Sequence, residues 1–264
     1  MNFLARSFLP VYASETSEPQ SVALGDNGDS MIIGGAIMYL NPGETWPTCA
    51  TCNHPLVPLI QINVSSERTP ETFRALIPSV VPVGGSLATM VQLFVCPQFD
   101  CYDTSITYST DTRSWLLRVA TVPIAFPSDE PQLVEARAKI EQGPGFLPAH
   151  LVETWVAGKE ETLHEALDWG QDDSEEFYAA HEPEPGLKLL GRSTRGKYYC
   201  STDHCPRGGP HHAHPSSREL IQLGDRFTCE WEELDAFLGT LGNSWIEQCV
   251  EHPEVLTLSM SGDW

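Results

Sequence analysis

Two cysteine pairs restrict what this chain can fold into more than any other feature. Cys49 and Cys52 sit in WPTCATCNHPLVPLIQ over 46–61, and Cys96 and Cys101 close QLFVCPQFDC. Zinc takes four sulfur or nitrogen ligands in a tetrahedron, and cysteines separated by two to four residues supply two of them from one turn. Cys49-x2-Cys52 with Cys96-x4-Cys101 meets that requirement, and Pro97 helps to hold the second turn. One structural zinc bound by these four residues is the expectation. The competing reading is four reduced thiols, some packed as small hydrophobes. Paired motifs beside two strand-like segments favour the metal.

The arrangement returns in the second half of the chain. In the first half, IIGGAI leads to Cys49/Cys52, then LIQI at 59–62, then QLFVC ending at Cys96. In the second, KLLGR leads to Cys200/Cys205, then LIQL at 220–223, then WIEQC ending at Cys249. Four features in the same order imply a tandem duplication. The predicted fold is therefore α+β, with two tandem antiparallel β-sheet repeats related by a pseudo-twofold axis and a few short helices. A second zinc set follows by spacing: Cys200-x4-Cys205 with Cys249-x2-His252, where His204 and Cys229 are competing ligands. His211, His212 and His214 occupy a Gly/Pro/Ser-rich loop, in which solvent-exposed histidines are commoner than a metal tract.

Strand-like runs occur at 31–40, 55–64, 87–97 and 114–124, and a further one in FLPAHLVETWVAG. The 55–64 run alternates, with Leu59, Gln61 and Asn63 against Ile60, Ile62 and Val64, which predicts a half-buried strand. The glycine pair Gly34–Gly35 marks a bulge or a close backbone approach. A short helix is expected from Thr69, and a longer one in SDEPQLVEARAKIEQG, with Pro131 in its first turn and Gly143 as its stop. In the second half CEWEELDAFLG has helical spacing, and SWIEQC and EVLTLSMSGDW read as the last strands. The expected organisation is an irregular arm over 1–30, a first β-rich repeat over 31–150, an acidic surface connection over 151–185 and a second repeat over 186–264. From Glu153 to Glu184 there are eleven acidic residues and one lysine, which places that connection in solvent.

Composition narrows the choice of partner. Fifteen basic against 36 acidic residues give a formal net charge of −21, which repels nucleic-acid phosphate and suits a basic protein. No apolar run reaches the roughly 18 residues of a membrane helix, and MNFLARSFLPVYAS is a poor signal peptide because Arg6 and Pro10 interrupt it. A cytoplasmic protein is expected, where eight cysteines serve as thiols or metal ligands rather than disulfides. The chain has no Gly-x-Ser-x-Gly elbow, no GxxxxGK[ST], no HExxH and no GxGxxG after a strand, so a non-enzymatic role is expected. A dithiol oxidoreductase using Cys49 and Cys52 is the enzyme alternative. Such a dithiol opens a helix in a βαβ setting, whereas Pro55 and Pro58 follow here and the pattern turns to strand.

Taken together, GGAIMYLNPGETWPTCATCNHPLVPLIQIN, MVQLFVCPQFDC and WLLRV, with KLLGR, LIQLGD and CVEHPEV later, resemble the YwqG-like family, a family of unknown function. The resemblance spans about 31–264 and is densest over 31–119. It implies a duplicated mixed α+β protein rich in antiparallel sheet, and carries no catalytic residues over. Family members have a Trp-Gly-Asp-rich strand before the last cysteine, where this chain has LGTLGNSWIEQC. The first half is also similar to the programmed-cell-death-protein-2 family, through GG…CxxC…LIQ…FVCPxxxC. That resemblance implies escort of a basic ribosomal protein.

Overall fold

The structure is a computed structural model and describes residues 5–12, 31–36, 39–78, 86–98, 101, 114–123, 131–143, 149–161, 186–191, 217–224 and 243–261. Ten strands and two helices lie in these ranges: β1 (Ala5–Tyr12), β2 (Met31–Ile33), β3 (Val57–Asn63), α1 (Glu71–Arg74), β4 (Leu87–Val95), β5 (Trp115–Pro123), α2 (Pro131–Glu141), β6 (His150–Glu161), β7 (Lys188–Leu190), β8 (Ser217–Gly224), β9 (Asn243–Cys249) and β10 (Leu256–Ser261). The chain divides into two compact units. The first is Val11–Ser105 with Asp111–Trp155, and the second is Met1–Pro10 with Ile106–Thr110 and Val156–Trp264. No helix among the described residues is long and apolar enough to cross a membrane.

In the first unit the strands run antiparallel in the order β6-β2-β3-β4-β5. All seven residues of β3 are buried, so the half-buried strand expected from its alternation is corrected to a fully buried one. Gln61 tolerates burial because it stands in a row of polar side chains: it faces Gln92 on β4, which faces Arg118 on β5. Gln92 Nε2 donates to the Gln61 Oε1 at 3.0 Å and to the Tyr39 carbonyl at 2.9 Å, while Arg118 Nε donates to Gln92 Oε1 at 2.9 Å. A buried amide left unpartnered would cost roughly 1–3 kcal/mol, and this ladder avoids that cost.

The polar row divides one face of the sheet into two apolar clusters. On one side Ile32, Tyr39, Ala88, Met90 and Val122 pack together. On the other, Trp46, Cys49, Leu56, Phe94 and Cys96 pack with Leu133, Ala136 and Ile140 of α2. α2 begins at Pro131, whose missing N–H is harmless in a first turn, and its buried residues recur at helical spacing.

The second unit is also antiparallel, in the order β1-β7-β8-β9-β10. Residues 5–12 belong to a strand, a correction to the irregular arm expected over 1–30. Pairing with β7, Ser7 opposite Leu190 and Phe8 opposite Leu189, gives their backbone a partner that the local sequence does not reveal. The acidic surface connection needs a similar correction where it enters β6. Glu161 is fully buried, and its Oε2 accepts a 2.8 Å hydrogen bond from the equally buried Lys188 Nζ. Charges are buried when they are paired, and this pair lies where Gly191 lets the backbone come close: a Cβ there would stand 2.3 Å from Glu161 Oε2. The helices expected over ETLHEALDWG, SEEFYAAHEPE and CEWEELDAFLG fall outside the described residues.

The two units use the same local devices. β3 bulges against β4 between Pro58 and Ile60, and β8 bulges against β9 between Glu219 and Ile221, so Leu59 and Leu220, each opening a Leu-Ile-Gln, are the extra residues. Two left-handed residues, Gly34 and Gly35, follow β2, and two others, Leu190 as the last residue of β7 and Gly191 after it, stand at the end of β7. β8 carries a further bulge, between Gln222 and Gly224, that β3 lacks.

Candidate metal centre

The first cysteine pair lies on a tight reverse turn. Thr48 bridges Pro55, Cys49 N–H donates to the His54 carbonyl at 2.8 Å, and Asn53 N–H donates back to the Cys49 carbonyl at 2.8 Å. Asn53 is left-handed (φ 59°), a conformation that asparagine tolerates better than most side chains. Below the turn, Trp46 Nε1–H donates to the Leu56 carbonyl at 2.9 Å, fixing the turn to the start of β3. The second pair leaves the end of β4. Cys96 N–H donates to the Ser114 carbonyl at 2.7 Å, so Cys96 still belongs to the ladder with the β5 side, and Cys101 N–H donates to the Gln98 carbonyl at 3.0 Å. Since β3 and β4 are neighbours, both turns are brought to one end of the sheet.

The Sγ atoms of Cys49, Cys52, Cys96 and Cys101 all lie within 4.8 Å of one another. No disulfide joins them. A tetrahedral ion with sulfur ligands at about 2.3 Å separates the sulfurs by roughly 3.8 Å. Cys52 and Cys96 already stand at 3.6 Å. The four residues therefore fit a tetrahedral thiophilic cation with side-chain adjustments of at most about 1 Å. Cys49 and Cys96 are buried, Cys101 is partly buried and Cys52 is exposed, so the cluster is anchored inside and open on one side.

Backbone donors prepare the sulfurs for charge. Thr51 N–H points to Cys49 Sγ at 3.4 Å and Gln98 N–H to Cys96 Sγ at 3.4 Å, the same offset of two residues in each turn. Burial pushes the Cys49 thiol up, but the N–H groups of Cys52 and Thr51 outweigh it and bring the pKa down to about 7. Burial also raises Cys96 and Cys101, the latter to about 11, with Cys52 next among the neighbouring sulfurs that raise Cys101. A cage that accepts one negative charge readily and resists the rest is suited to a bound cation, which neutralises several thiolates together.

The second predicted set is described only in part. Cys249 Sγ and His252 Nδ1 are 3.7 Å apart. Cys200 and Cys205 lie outside the described residues, as do His204, Cys229, His211, His212 and His214. Two polar features went unforeseen. One is the Gln61–Gln92–Arg118 row with Glu44, which forms an ion pair with Arg118; the other is the Lys188–Glu161 pair. Their only trace in the sequence is a polar residue inside an apolar strand, and that trace does not name the partner. No family model matches the chain, and no characterised protein gives a significant match to it.

Proposed function

We propose that the chain is a non-catalytic, cytoplasmic protein-binding module of the YwqG-like type, with a structural zinc held by Cys49, Cys52, Cys96 and Cys101. The observation that carries the reading is the convergence of four thiols from two turns on one centre. Zinc is the preferred occupant because four sulfur donors fill every position of a tetrahedral ion, as in a structural site, and iron is the other metal that takes this donor set. The matching bulges and left-handed strand ends support a tandem duplication of one sheet unit. The net charge of −21 supports a basic protein as the partner. Elemental analysis of chain purified without added metal tests the core of this reading, with zinc expected and its loss expected in Cys49→Ser. Iron in place of zinc would replace the structural role with a redox one, and metal-free protein of unchanged stability would end it.

Two observations favour alternatives. The acidic surface and the resemblance to the programmed-cell-death-protein-2 family support escort of a basic ribosomal protein, which a pull-down at rising salt would reveal as a single basic partner lost by screening. The lowered Cys49 thiol beside the exposed Cys52 favours a dithiol oxidoreductase. Against that, the low-pKa sulfur is the buried one, and a strand rather than a helix follows the motif. Thiol-exchange activity that disappears in a folded Cys52→Ser variant would restore it.

A further inference from the structure

We infer that the outer edge of β5, over Leu117, Val119 and Thr121, is a docking edge that takes an extended, basic segment of a partner protein as one further strand. This rests on the reading of the chain as a protein-binding module with a basic partner, and gives that module its surface.

The backbone directions follow from the register. In an antiparallel pair, residues directly opposite each other alternate between exchanging both N–H···O bonds and exchanging neither. Val64 N–H donates to the Thr89 carbonyl at 2.9 Å, one step along the register that pairs Asn63 with Met90. The odd-numbered residues of β4 therefore turn their backbone groups to β3. The even-numbered ones turn theirs to β5, as Cys96 N–H does just beyond the strand, toward the Ser114 carbonyl at 2.7 Å. Each even residue of β4 faces an even residue of β5, with Gln92 opposite Arg118 and Met90 opposite Ala120. Leu117, Val119 and Thr121, the odd residues between, direct N–H and C=O away from β4. β5 is the terminal strand of its sheet, and among the described residues nothing pairs with these three on that side.

Sheet edges are normally blunted by proline, lysine, a bulge or shortness, which keep other chains from adding to them. β5 is nine residues long and pairs with β4 without a bulge. Its sequence, WLLRVATVP, has no lysine, and its proline is the last residue. Its one charge, Arg118, is an even residue whose side chain is held by Gln92 and Glu44. Leu117 and Val119 are half-buried and Thr121 is exposed, so an added strand would find two apolar side chains and a hydroxyl beside it. Such an edge binds a strand through backbone hydrogen bonds and leaves alternate side chains to set specificity.

Charge decides the occupant. A second copy would bring a second net charge of −21 to the edge, which like-charge repulsion opposes. A segment with apolar residues at alternate positions, to lie against Leu117 and Val119, and with lysine or arginine toward its ends is attracted instead.

The test uses the full chain and synthetic peptides of about ten residues, the length of a strand. They alternate threonine with valine, isoleucine or phenylalanine and end in lysine. Amide exchange of the natural chain, read residue by residue by NMR, needs no variant. The amides of Leu117, Val119 and Thr121 are expected to exchange fast alone and slowly with peptide, while those of Leu116, Arg118 and Ala120 are slow throughout. Val119→Pro removes an outward N–H and spares the ladder with β4, so the chain should fold as before and bind about tenfold or more weakly. Thr121→Pro should do the same, and peptides ending in glutamate should bind the natural chain less well than those ending in lysine. Equal binding by the natural chain and both proline variants, with the three amides unprotected, overturns the docking edge and leaves the protein-binding reading standing. Equal binding of lysine-ended and glutamate-ended peptides overturns the basic occupant, and with it the charge argument of that reading. Dimers of the natural chain that become monomers in Val119→Pro make a second copy the occupant and overturn the partner. Binding of none of the peptides overturns the edge as a site for basic strands.

Discussion

Glu44 shows how a single side chain can tie the metal turn to the sheet. It precedes the first cysteine pair by five residues, accepts the Asn41 N–H at 2.9 Å and forms an ion pair with Arg118 of β5. Arg118 in turn lies over the Phe94 ring at 5.7 Å and feeds the buried glutamine row. Burial pushes the Glu44 carboxyl up, yet the hydrogen bond from Arg118, with the Asn41 N–H, more than compensates and leaves its pKa below 4.5. A carboxylate depressed in the folded state stabilises that state above its unfolded pKa, and the contribution vanishes as pH falls through the folded value. Glu44→Gln should therefore cost about 1–2 kcal/mol at pH 7. The cost should shrink steadily as the pH is taken below 4.5, the usual value for this carboxyl. Urea unfolding of both proteins at neutral and acid pH measures it; a cost independent of pH would remove the ion pair as its source.

At the scale of the element, the buried Lys188–Glu161 pair joins the end of β6 to β7 inside the second unit. Removing one partner takes from the other buried charge the counter-ion that offsets its burial, which costs about 3–5 kcal/mol, whereas replacing both with apolar groups is often neutral. Lys188→Met should destabilise strongly, and Lys188→Met with Glu161→Leu should recover most of the loss, as read by chemical denaturation. Equal loss in both variants would mean that packing volume, not charge, matters here. These elements also show what the sequence can and cannot disclose. α2 was legible because Pro131, the apolar spacing and Gly143 are local signals, and β4 and β5 because long apolar runs admit little else. The cysteine cluster was legible because ligand spacing is also local. β3 was read as half-buried because Gln61 is polar, and only the sheet register reveals that Gln92 lies opposite. β1 was missed for the same reason: its partner is a short strand far along the chain. Glu161 is placed in solvent with the rest of its acidic segment, because charge in a sequence says nothing about an opposite charge that the fold will bring to it.

At the scale of the molecule, the cysteine cluster ties 49–52 to 96–101 within the first unit. Metal bound there adds its binding free energy to folding, and protons compete with it for the thiolates. Strong chelator at neutral pH should lower the melting temperature of the natural chain by more than that of Cys49→Ser, and acidification should narrow the gap between the two. Identical melting with and without chelator would deny the ion a structural part. The second unit sets a different problem, one of time. Ser7 pairs with Leu190 and Phe8 with Leu189, so β1 is made first and its partner some 180 residues later. At about 5–20 residues per second, a ribosome takes roughly ten to forty seconds to deliver that partner. Throughout that interval ARSFLPVY is a strand without its sheet neighbour β7, while the sequence of the whole first unit emerges behind it. Such a segment invites pairing with the wrong strand or another chain. The newborn chain is exposed in this way until residues 188–190 are translated, and a nascent chain stalled short of residue 188 is a form on which a cellular chaperone would have work to do.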